Sequence, residues 1–265
     1  MLDGKRLLIT GVVNEESIAF AVAARAQALG AQIAVSAFPR DLDQAGTAAG
    51  LLPAPVPVFG ADLTSAEDVA RLQEDLAGLW GGLDGALHAI AFAPRAALAG
   101  DFLAVPPGDV NIAFQTSAVS YASLARVVRG LAPPGGASLV GLDFDAAGAW
   151  PVYNWMGVCK AALESVSRYV ARDLGARGIR SNLIAAGPIH TRAAGGIPDF
   201  SVLLDAWARQ SPLPWDDRDT GPVADAACFL LSDLARAVTG EILHVDGGYH
   251  AMATAVRRAT DGATA

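Results

Sequence analysis

Apolar runs of strand length alternate with longer helix-like segments along nearly the whole chain. The predicted strands cover residues 6–10, 31–37, 56–60, 85–91, 137–142, 179–185 and 241–245. Runs such as "ALHAIAFA" are apolar without alternation, which is typical of strands that helices cover on both faces. The pattern therefore predicts an α/β fold, a Rossmann-type doubly wound parallel sheet of about seven strands.

Helical periodicity between these strands predicts helices over residues 18–29, 65–79, 111–128, 154–176 and 223–234. Residues 39–57 and 188–196 carry glycines and prolines without periodicity, so we expect loops there. Both follow predicted strands and lie at the carboxyl edge of the sheet, where open α/β sheets bind ligands. We expect one folded domain over residues 1–252 and a disordered tail over 253–265, which has little apolar content.

Composition narrows the classes of function. A hydrophobic fraction of 52% and a charged fraction of 17% exclude a disordered chain, and no apolar stretch is long enough to span a membrane. A net charge of −8 argues against nucleic acid as a partner, because phosphate binding needs a cationic surface. The four histidines show no ligand spacing, so we expect no metal site. No basic leader precedes an apolar segment, so we expect a cytoplasmic protein.

The stretch "VYNWMGVCK" holds a phenol and an ammonium, Tyr153 and Lys160, seven positions apart. Two helical turns of about 3.6 residues each return such a pair to the same face. Both side chains can therefore point into one site. This spacing also arises by chance, and most lysines are simply solvated, so the pair gains meaning only from the rest of the chain.

The first predicted strand runs into "TGVVNEESIAFAVA", where a phosphate-binding turn would lie. The usual G-x-G-x-x-G pattern is absent, since only Gly11 remains, and Ser17 and Ile18 stand at the start of the next helix. A helix N-terminus with a serine hydroxyl and free N–H groups can hold a pyrophosphate. The alternative is that Ser17 only caps the helix.

Five motifs occur in an order and spacing that resemble bacterial enoyl-acyl carrier protein reductases, divergent members of the short-chain dehydrogenase/reductase superfamily. These motifs are "GVVNEESIAFAVA", "HAIAFAP", "YNWMGVCKAALES", "RSNLIAAGPIHT" and "VTGEILHVDGG". The stretch "DFDAAGAWPVYNWM" is similar to the long-chain, mycolate-associated branch. Ordinary short-chain dehydrogenases carry a catalytic serine thirteen residues before the tyrosine, where this chain has Val140. A carbonyl reductase would lack its serine here.

The resemblance implies an NADH-dependent transfer of hydride to the β-carbon of a trans-2-enoyl thioester. It assigns to Tyr153 the hydrogen bond to the enolate oxygen, to Lys160 a contact with the nicotinamide ribose, and to Phe144 a position beside the transferring hydride. Core packing at a strand end is the alternative for Phe144. A donor aimed at developing charge in a dry site lowers a barrier by roughly 3–4 kcal/mol.

The resemblance also implies a set of cofactor-binding residues. They are Gly11, Ser17, Ile18, Phe38, Asp62, Leu63, Ile90, Ala91, Lys160, Ile189 and Thr191. Within this set, the Ile189 backbone would hold the carboxamide, Thr191 the nicotinamide or phosphate side, and Asp62 with Leu63 the adenine. Asp62 as a helix cap is the competing interpretation.

Cofactor choice depends on "SAFPRD" after the second predicted strand. The acidic residue that commonly binds a ribose 2′-hydroxyl is missing there. Phe38 resembles the family's adenine-stacking aromatic residue, which favours NADH. Arg40 could meet a 2′-phosphate, which leaves NADPH as the alternative.

The chain departs from the family pattern at several positions near the site. Residues 89–91 read Ala-Ile-Ala where Ser-Ile-Gly is typical, Arg192 stands where leucine is usual, and Trp150 replaces a smaller apolar residue. The segment "TRAAGGIPDFSVLLDAW" matches the shorter substrate loop of general fatty-acid enoyl reductases. We therefore expect a preference for short or medium acyl chains.

The expected partner is an acyl thioester on acyl carrier protein or on coenzyme A. Residues 193–208 contain no basic side chain, so an acidic carrier protein would dock weakly and coenzyme A thioesters would serve nearly as well. The resemblance also suggests a homotetramer. Two other functions stay open: a carbonyl reductase or specialised enoyl reductase of secondary metabolism, and a non-catalytic nicotinamide redox sensor.

Overall fold

A computed structural model describes residues 1–256 and contains one seven-stranded sheet. Its strands are β1 (Arg6–Thr10), β2 (Gln32–Ala37), β3 (Val58–Gly60), β4 (Gly85–His88), β5 (Ala137–Asp143), β6 (Ile179–Ala186) and β7 (Ile242–Val245). The order is β3-β2-β1-β4-β5-β6-β7, and neighbouring strands run parallel. This confirms the predicted Rossmann-type sheet. Strand order reverses between β1 and β4, which opens a crevice at their carboxyl ends.

Nine helices accompany the sheet in this part of the chain. They are α1 (Ile18–Ala28), α2 (Leu42–Ala49), α3 (Ala66–Trp80), α4 (Arg95–Leu98), α5 (Pro107–Phe114), α6 (Ser120–Leu131), α7 (Asn154–Leu174), α8 (Ser201–Gln210) and α9 (Gly221–Leu231). Leu7 and Ile9 of β1 pack in one core with α1 and α9, whereas Leu8 packs in a second core with α3, α6 and α7. Successive side chains enter opposite faces, which explains the continuous apolar strands.

The predicted helix over residues 111–128 is interrupted by a π-helical turn, Gln115–Val119, between α5 and α6. The Ser117 hydroxyl in this turn donates to the Phe92 carbonyl and accepts from the Phe92 N–H, each at 3.0 Å. The wider turn thus holds the chain that follows β4, where the predicted strand 85–91 already ends at His88. Single π-turns are frequent at functional sites.

The prediction of a loop over residues 39–57 is wrong for the first half of that segment. A 3₁₀ turn, Pro39–Asp41, leads directly into α2, in which Ala45, Ala48 and Ala49 are buried. This helix has only eight residues and lies among Pro39, Gly46 and Gly50, so the glycines and prolines of the segment favoured a loop. Helix α8 was also not predicted, whereas residues 188–196 form a loop with one 3₁₀ turn, as expected.

Two further observations concern the described residues alone. No helix within 1–256 is long and apolar enough to cross a membrane, and no group of three or more His, Cys, Asp or Glu side chains there could hold a metal ion. Most of the tail predicted to be disordered, residues 257–265, lies outside the described part of the chain.

Candidate active site

The floor of the crevice is formed where β1 and β4 end. The Thr10 hydroxyl donates to the Leu87 carbonyl and accepts from the Ala89 N–H, both at 3.0 Å, so it ties the two strand ends together. Gly11 follows with a φ of +79°, and a Cβ there would lie 2.2 Å from the Ala89 carbonyl oxygen. Only glycine fits this close approach, which keeps the predicted turn at the crevice.

The turn after Gly11 leads to the positive end of α1, an eleven-residue helix. The Ser17 hydroxyl accepts from the Phe20 N–H at 3.1 Å and donates to the Asn14 carbonyl at 2.8 Å, so Ser17 is the N-cap. Ile18 is the first residue of the helix. The Asn14 Oδ1 atom is a buried acceptor without a partner in the described chain. The helix N-terminus fits the phosphates of a ligand, whereas the unpaired Asn14 acceptor fits a hydroxyl or N–H donor of the same ligand.

An exposed aromatic residue marks the other end of the crevice. Phe38 follows β2 and is 42% exposed, although it is a large apolar side chain. The Arg40 guanidinium lies 4.9 Å from the centre of the Phe38 ring and 5.8 Å from that of Phe92. This arrangement can stack a flat ring on Phe38 and can also meet an anion, so it leaves both cofactor alternatives in place.

Asp62 and Leu63 follow β3, as the resemblance implied. The Asp62 carboxylate accepts from the Thr64 N–H at 2.8 Å and from its hydroxyl at 2.7 Å. The N-cap of α3 is Ser65, whose hydroxyl accepts from the Asp68 N–H, so the interpretation of Asp62 as the helix cap is wrong. The Leu63 side chain is buried in the core, which leaves only its backbone for a ligand.

The opposite wall comes from the segments after β4 and β6. Ile90 is half-buried and Ala91 is exposed. Ile189 is buried, and the turn before it is held by the Trp215 indole, which donates to the Pro188 carbonyl at 2.8 Å. The Thr191 hydroxyl accepts from Ala194 N–H at 3.2 Å. All these segments leave the carboxyl edge of the sheet, where the sequence predicted them.

Tyr153 lies directly before α7 and is only 7% exposed. The residues on both sides of it have left-handed backbone conformations, with φ of 58° at Val152 and 35° at Asn154. A positive φ is a genuine outlier for β-branched valine, and such strain concentrates at functional sites. The Tyr153 and Phe144 ring centres are 5.0 Å apart, so Phe144 does lie beside the phenol.

Lys160 is buried two turns further along α7, and its Nζ atom donates to the Leu142 carbonyl at 2.8 Å. Burial lowers the pKa of this ammonium, and the negative charge of Asp143 opposes that change. Tyr153 experiences burial and the same carboxylate, and both raise the pKa of its hydroxyl well above the ordinary value. The phenol therefore keeps its proton throughout the neutral range.

Two buried titratable groups lie beside this pair and were not predicted from the sequence. Asp143 ends β5, and neither of its carboxylate oxygens has a hydrogen-bond partner among the described residues. Burial raises its pKa to about 7 despite the positive charge of Lys160. His88 ends β4 and bonds the Ser120 hydroxyl at 2.8 Å, and burial together with Lys160 lowers its pKa to about 3. In the sequence, the only sign of Asp143 and His88 is that each is a polar residue at the end of an apolar strand.

Comparisons with known proteins point to one family over nearly the whole chain. A family model described as enoyl-(acyl carrier protein) reductase matches residues 11–250. The chain is 40% identical to an enoyl-[acyl-carrier-protein] reductase [NADH] of Mycolicibacterium smegmatis, covering 94% of this chain and 97% of that protein. It is 41% and 36% identical to the proteins named FabI from Neisseria meningitidis and Escherichia coli, each over 94% of this chain and 95% of the relative. The chain belongs to the enoyl-acyl carrier protein reductase family.

Proposed function

We propose that this protein reduces trans-2-enoyl thioesters with NADH, adding hydride to the β-carbon. The observation that carries the proposal is the buried Tyr153 phenol, held at the start of α7 with Lys160 on the same helix. The position of a carbonyl reductase's serine is filled by Val140, which is fully buried in the core. The site thus offers one proton donor to a thioester oxygen and lacks the second hydroxyl of ordinary short-chain dehydrogenases.

Tyr153 would act through the proton that it retains. Hydride addition to the β-carbon moves negative charge onto the thioester oxygen, and the neutral phenol donates a hydrogen bond to that developing enolate. In a dry site such a donor lowers the barrier by roughly 3–4 kcal/mol. Burial and the charge of Asp143 both raise the pKa of this phenol, so it stays neutral and keeps the proton that it donates. A proton from solvent at the α-carbon of the enolate then completes the saturated thioester.

The cofactor would lie along the crevice between β1 and β4. A bound reduced nicotinamide supplies the hydride. Ser17 and Ile18, at the positive end of α1, would face the phosphates, and Lys160 would hold the nicotinamide ribose. Gly11 would let the cofactor approach the backbone. The remaining contacts are assigned to Asp62, Leu63, Ile90, Ala91, Ile189 and Thr191.

NADH is the proposed form because the exposed Phe38 ring offers a stacking surface for adenine. Arg40 is the group that would meet a 2′-phosphate, and its guanidinium already stacks against Phe38 and Phe92. A second hydrogen-bond donor or cation for the 2′-phosphate would be needed to favour NADPH strongly. The relatives named above carry NADH in their names, which supports the same choice.

The substrate is proposed to arrive on acyl carrier protein or on coenzyme A, in the cytoplasm, and the protein to act as a homotetramer. Several large apolar side chains on α5 and α7 support assembly, since Ile112, Val158 and Tyr169 are all exposed. Exposed apolar side chains on neighbouring elements are commonly covered by a partner.

The experiment is a comparison of two substrates under one condition. The enzyme is incubated with NADH and either a trans-2-enoyl or a 3-ketoacyl thioester, while absorbance of the reduced nicotinamide is followed. We expect rapid oxidation of NADH with the enoyl substrate alone. Faster oxidation with the 3-ketoacyl thioester would support a carbonyl reductase. Tight binding of NADH without turnover of either would support a redox sensor.

A further inference from the structure

Four aromatic side chains extend the wall of the site away from the cofactor crevice. We call Phe144, Trp150, Trp207 and Tyr249 the aromatic cluster. The Phe144 ring centre lies 5.0 Å from those of both Tyr153 and Trp150, and 5.5 Å from that of Trp207. Trp207 and Tyr249 stack with their ring centres 3.8 Å apart and their planes 8° apart. The rings thus form one continuous group that begins at the proposed proton donor.

Three separate parts of the chain fix the aromatic cluster in place. Trp150 belongs to the β5–α7 connection, and its indole N–H donates to the Asp145 carbonyl. Trp207 belongs to α8 and donates to the Asp246 carbonyl at 3.1 Å. Tyr249 follows β7, in a segment that the Gln210 amide holds by its bond to the Met252 carbonyl at 3.0 Å. Moving either indole would leave a polar group without its partner, so the cluster is rigid.

The position of the aromatic cluster matters for the acyl chain, an inference that rests on the proposed function. With the thioester oxygen at Tyr153 and the cofactor in the crevice between β1 and β4, the acyl chain would pass Phe144, whose ring centre lies 5.0 Å from that of Tyr153. The space there already holds Trp150, whose ring centre is 5.2 Å from that of Trp207 and 5.6 Å from that of Tyr249. Close-packed aromatic rings leave no channel for further methylene groups.

We propose that Trp150 and Tyr249 set the acyl chain length by closing the path beyond Phe144, so that only short enoyl chains are covered. These two side chains are partly exposed, so they lie nearer the surface than Trp207. Trp207 differs, because it is 2% exposed and a Cβ on Gly187 would lie 2.7 Å from its indole nitrogen. Trp207 therefore supports the cluster from the core, and Trp150 and Tyr249 are the two side chains that block the path.

The test is a chain-length series with Trp150→Ala, Tyr249→Ala and the double variant. For each, kcat/KM is measured with NADH on crotonyl-, trans-2-octenoyl- and trans-2-dodecenoyl-coenzyme A. We expect each single variant to raise the dodecenoyl-to-crotonyl ratio of kcat/KM by about tenfold, the effect of roughly two newly buried methylene groups. The double variant should raise it further, because both rings line the same path.

Trp80→Ala is the matched control, since Trp80 ends α3 and, partly buried, packs against the core cluster that contains α3 and α6 residues, outside the aromatic cluster. Its chain-length ratio should equal that of the unchanged protein. Should Trp150→Ala not fold, as judged by its circular dichroism, Tyr249→Ala alone decides the question.

Three results overturn the inference. One is an unchanged chain-length ratio in folded variants that still reduce crotonyl-coenzyme A, and another is a preference of the unchanged protein for the dodecenoyl substrate. Both leave the proposed function standing. The third is an unchanged protein that reduces none of the enoyl substrates, and in that case the proposed function fails as well.

Discussion

At the scale of single residues, the chemistry of the site comes from charges placed where water is excluded. Lys160 and Asp143 are each 5% exposed, so burial penalises the charged form of both side chains. Each partly relieves the penalty of the other through its opposite charge. Tyr153 stays neutral because burial, and then the nearby carboxylate, raise the pKa of its hydroxyl. The proposed donor, the proposed ribose contact and the carboxylate are therefore one coupled group.

Removing the hydroxyl of Tyr153 tests the donor. Tyr153→Phe keeps the ring that packs on Phe144, so we expect NADH to bind with unchanged affinity. The turnover number on crotonyl-coenzyme A should fall by roughly 10²–10³, because only transition-state stabilisation is lost. Tyr169→Phe, on the exposed face of the same helix, is the control. Full activity of Tyr153→Phe contradicts the assignment.

We expect loss of the Lys160 side chain to weaken NADH binding more than it affects the hydrogen bond that Tyr153 donates. Lys160→Ala removes a charged hydrogen-bond donor, which contributes roughly 1.5–3 kcal/mol. Titration followed by nicotinamide fluorescence should therefore show NADH affinity reduced by about 10- to 100-fold. The other lysine of the chain supplies the control, because Lys5 pairs with the exposed Asp233. An unchanged titration of Lys160→Ala would remove its proposed role.

The carboxyl of Asp143 should give folding stability a pH dependence. Its folded pKa of about 7 lies above the value of about 3.9 expected in the unfolded chain, so between these values the folded protein binds more protons. This contribution to the free energy of unfolding therefore falls as pH rises from about 4 to 7 and is constant above that range. Asp143→Asn removes it.

The measurement is the melting temperature of Asp143→Asn minus that of the unchanged protein, taken at each pH. This difference should rise between about pH 4 and 7 and then level off. Asp75→Asn, at an exposed position on α3, should show no such trend. His88 acts in the opposite direction, since its lowered pKa makes stability fall as pH drops below about 6.5, and the subtraction cancels this effect. A difference that is flat with pH contradicts the placement of Asp143.

At the scale of elements, the sequence predicted what periodicity and spacing encode. All seven strands were located: the five inner strands are buried and mostly apolar, and the edge strands β3 and β7 are short apolar runs although they are only half-buried. Helical spacing placed Tyr153 and Lys160 on one face, and the family resemblance gave the pair its roles. Helix α2 was missed because it is short and lies among glycines and prolines, and the π-turn because a single extra residue leaves no periodic trace. The neighbours Asp143 and His88 come from different strands, which only the fold brings together.

The segment from Thr191 to α8 bears on how the substrate is delivered. Its only flanking cations are Arg192 and Arg209, and the Arg192 guanidinium already donates to the Gln44 side chain of α2. An acidic carrier protein would therefore gain little electrostatic attraction there. For matched enoyl chains we expect kcat/KM on acyl carrier protein and on coenzyme A to agree within about tenfold, with weak dependence on salt. A large carrier advantage that disappears at high salt contradicts this interpretation.

At the scale of the whole molecule, the sheet order decides where the chemistry can occur. The reversal between β1 and β4 brings Gly11, the segment after β4 and the start of α7 to one edge, although they are distant in sequence. The net charge of −8 gives the surface no general attraction for anionic substrates, so recognition depends on this edge. The central claim follows from that geometry: hydride is delivered to the β-carbon of an enoyl thioester whose oxygen bonds to Tyr153.

Isotope transfer tests this claim most directly. The enzyme is given crotonyl-coenzyme A with NADH that carries deuterium at its transferable position, and the product is analysed by mass spectrometry and nuclear magnetic resonance. We predict a saturated butyryl thioester with one deuterium, located on the β-carbon. A product without deuterium, or transfer found only at the carbonyl carbon of a 3-ketoacyl thioester offered in the same mixture, would contradict the account.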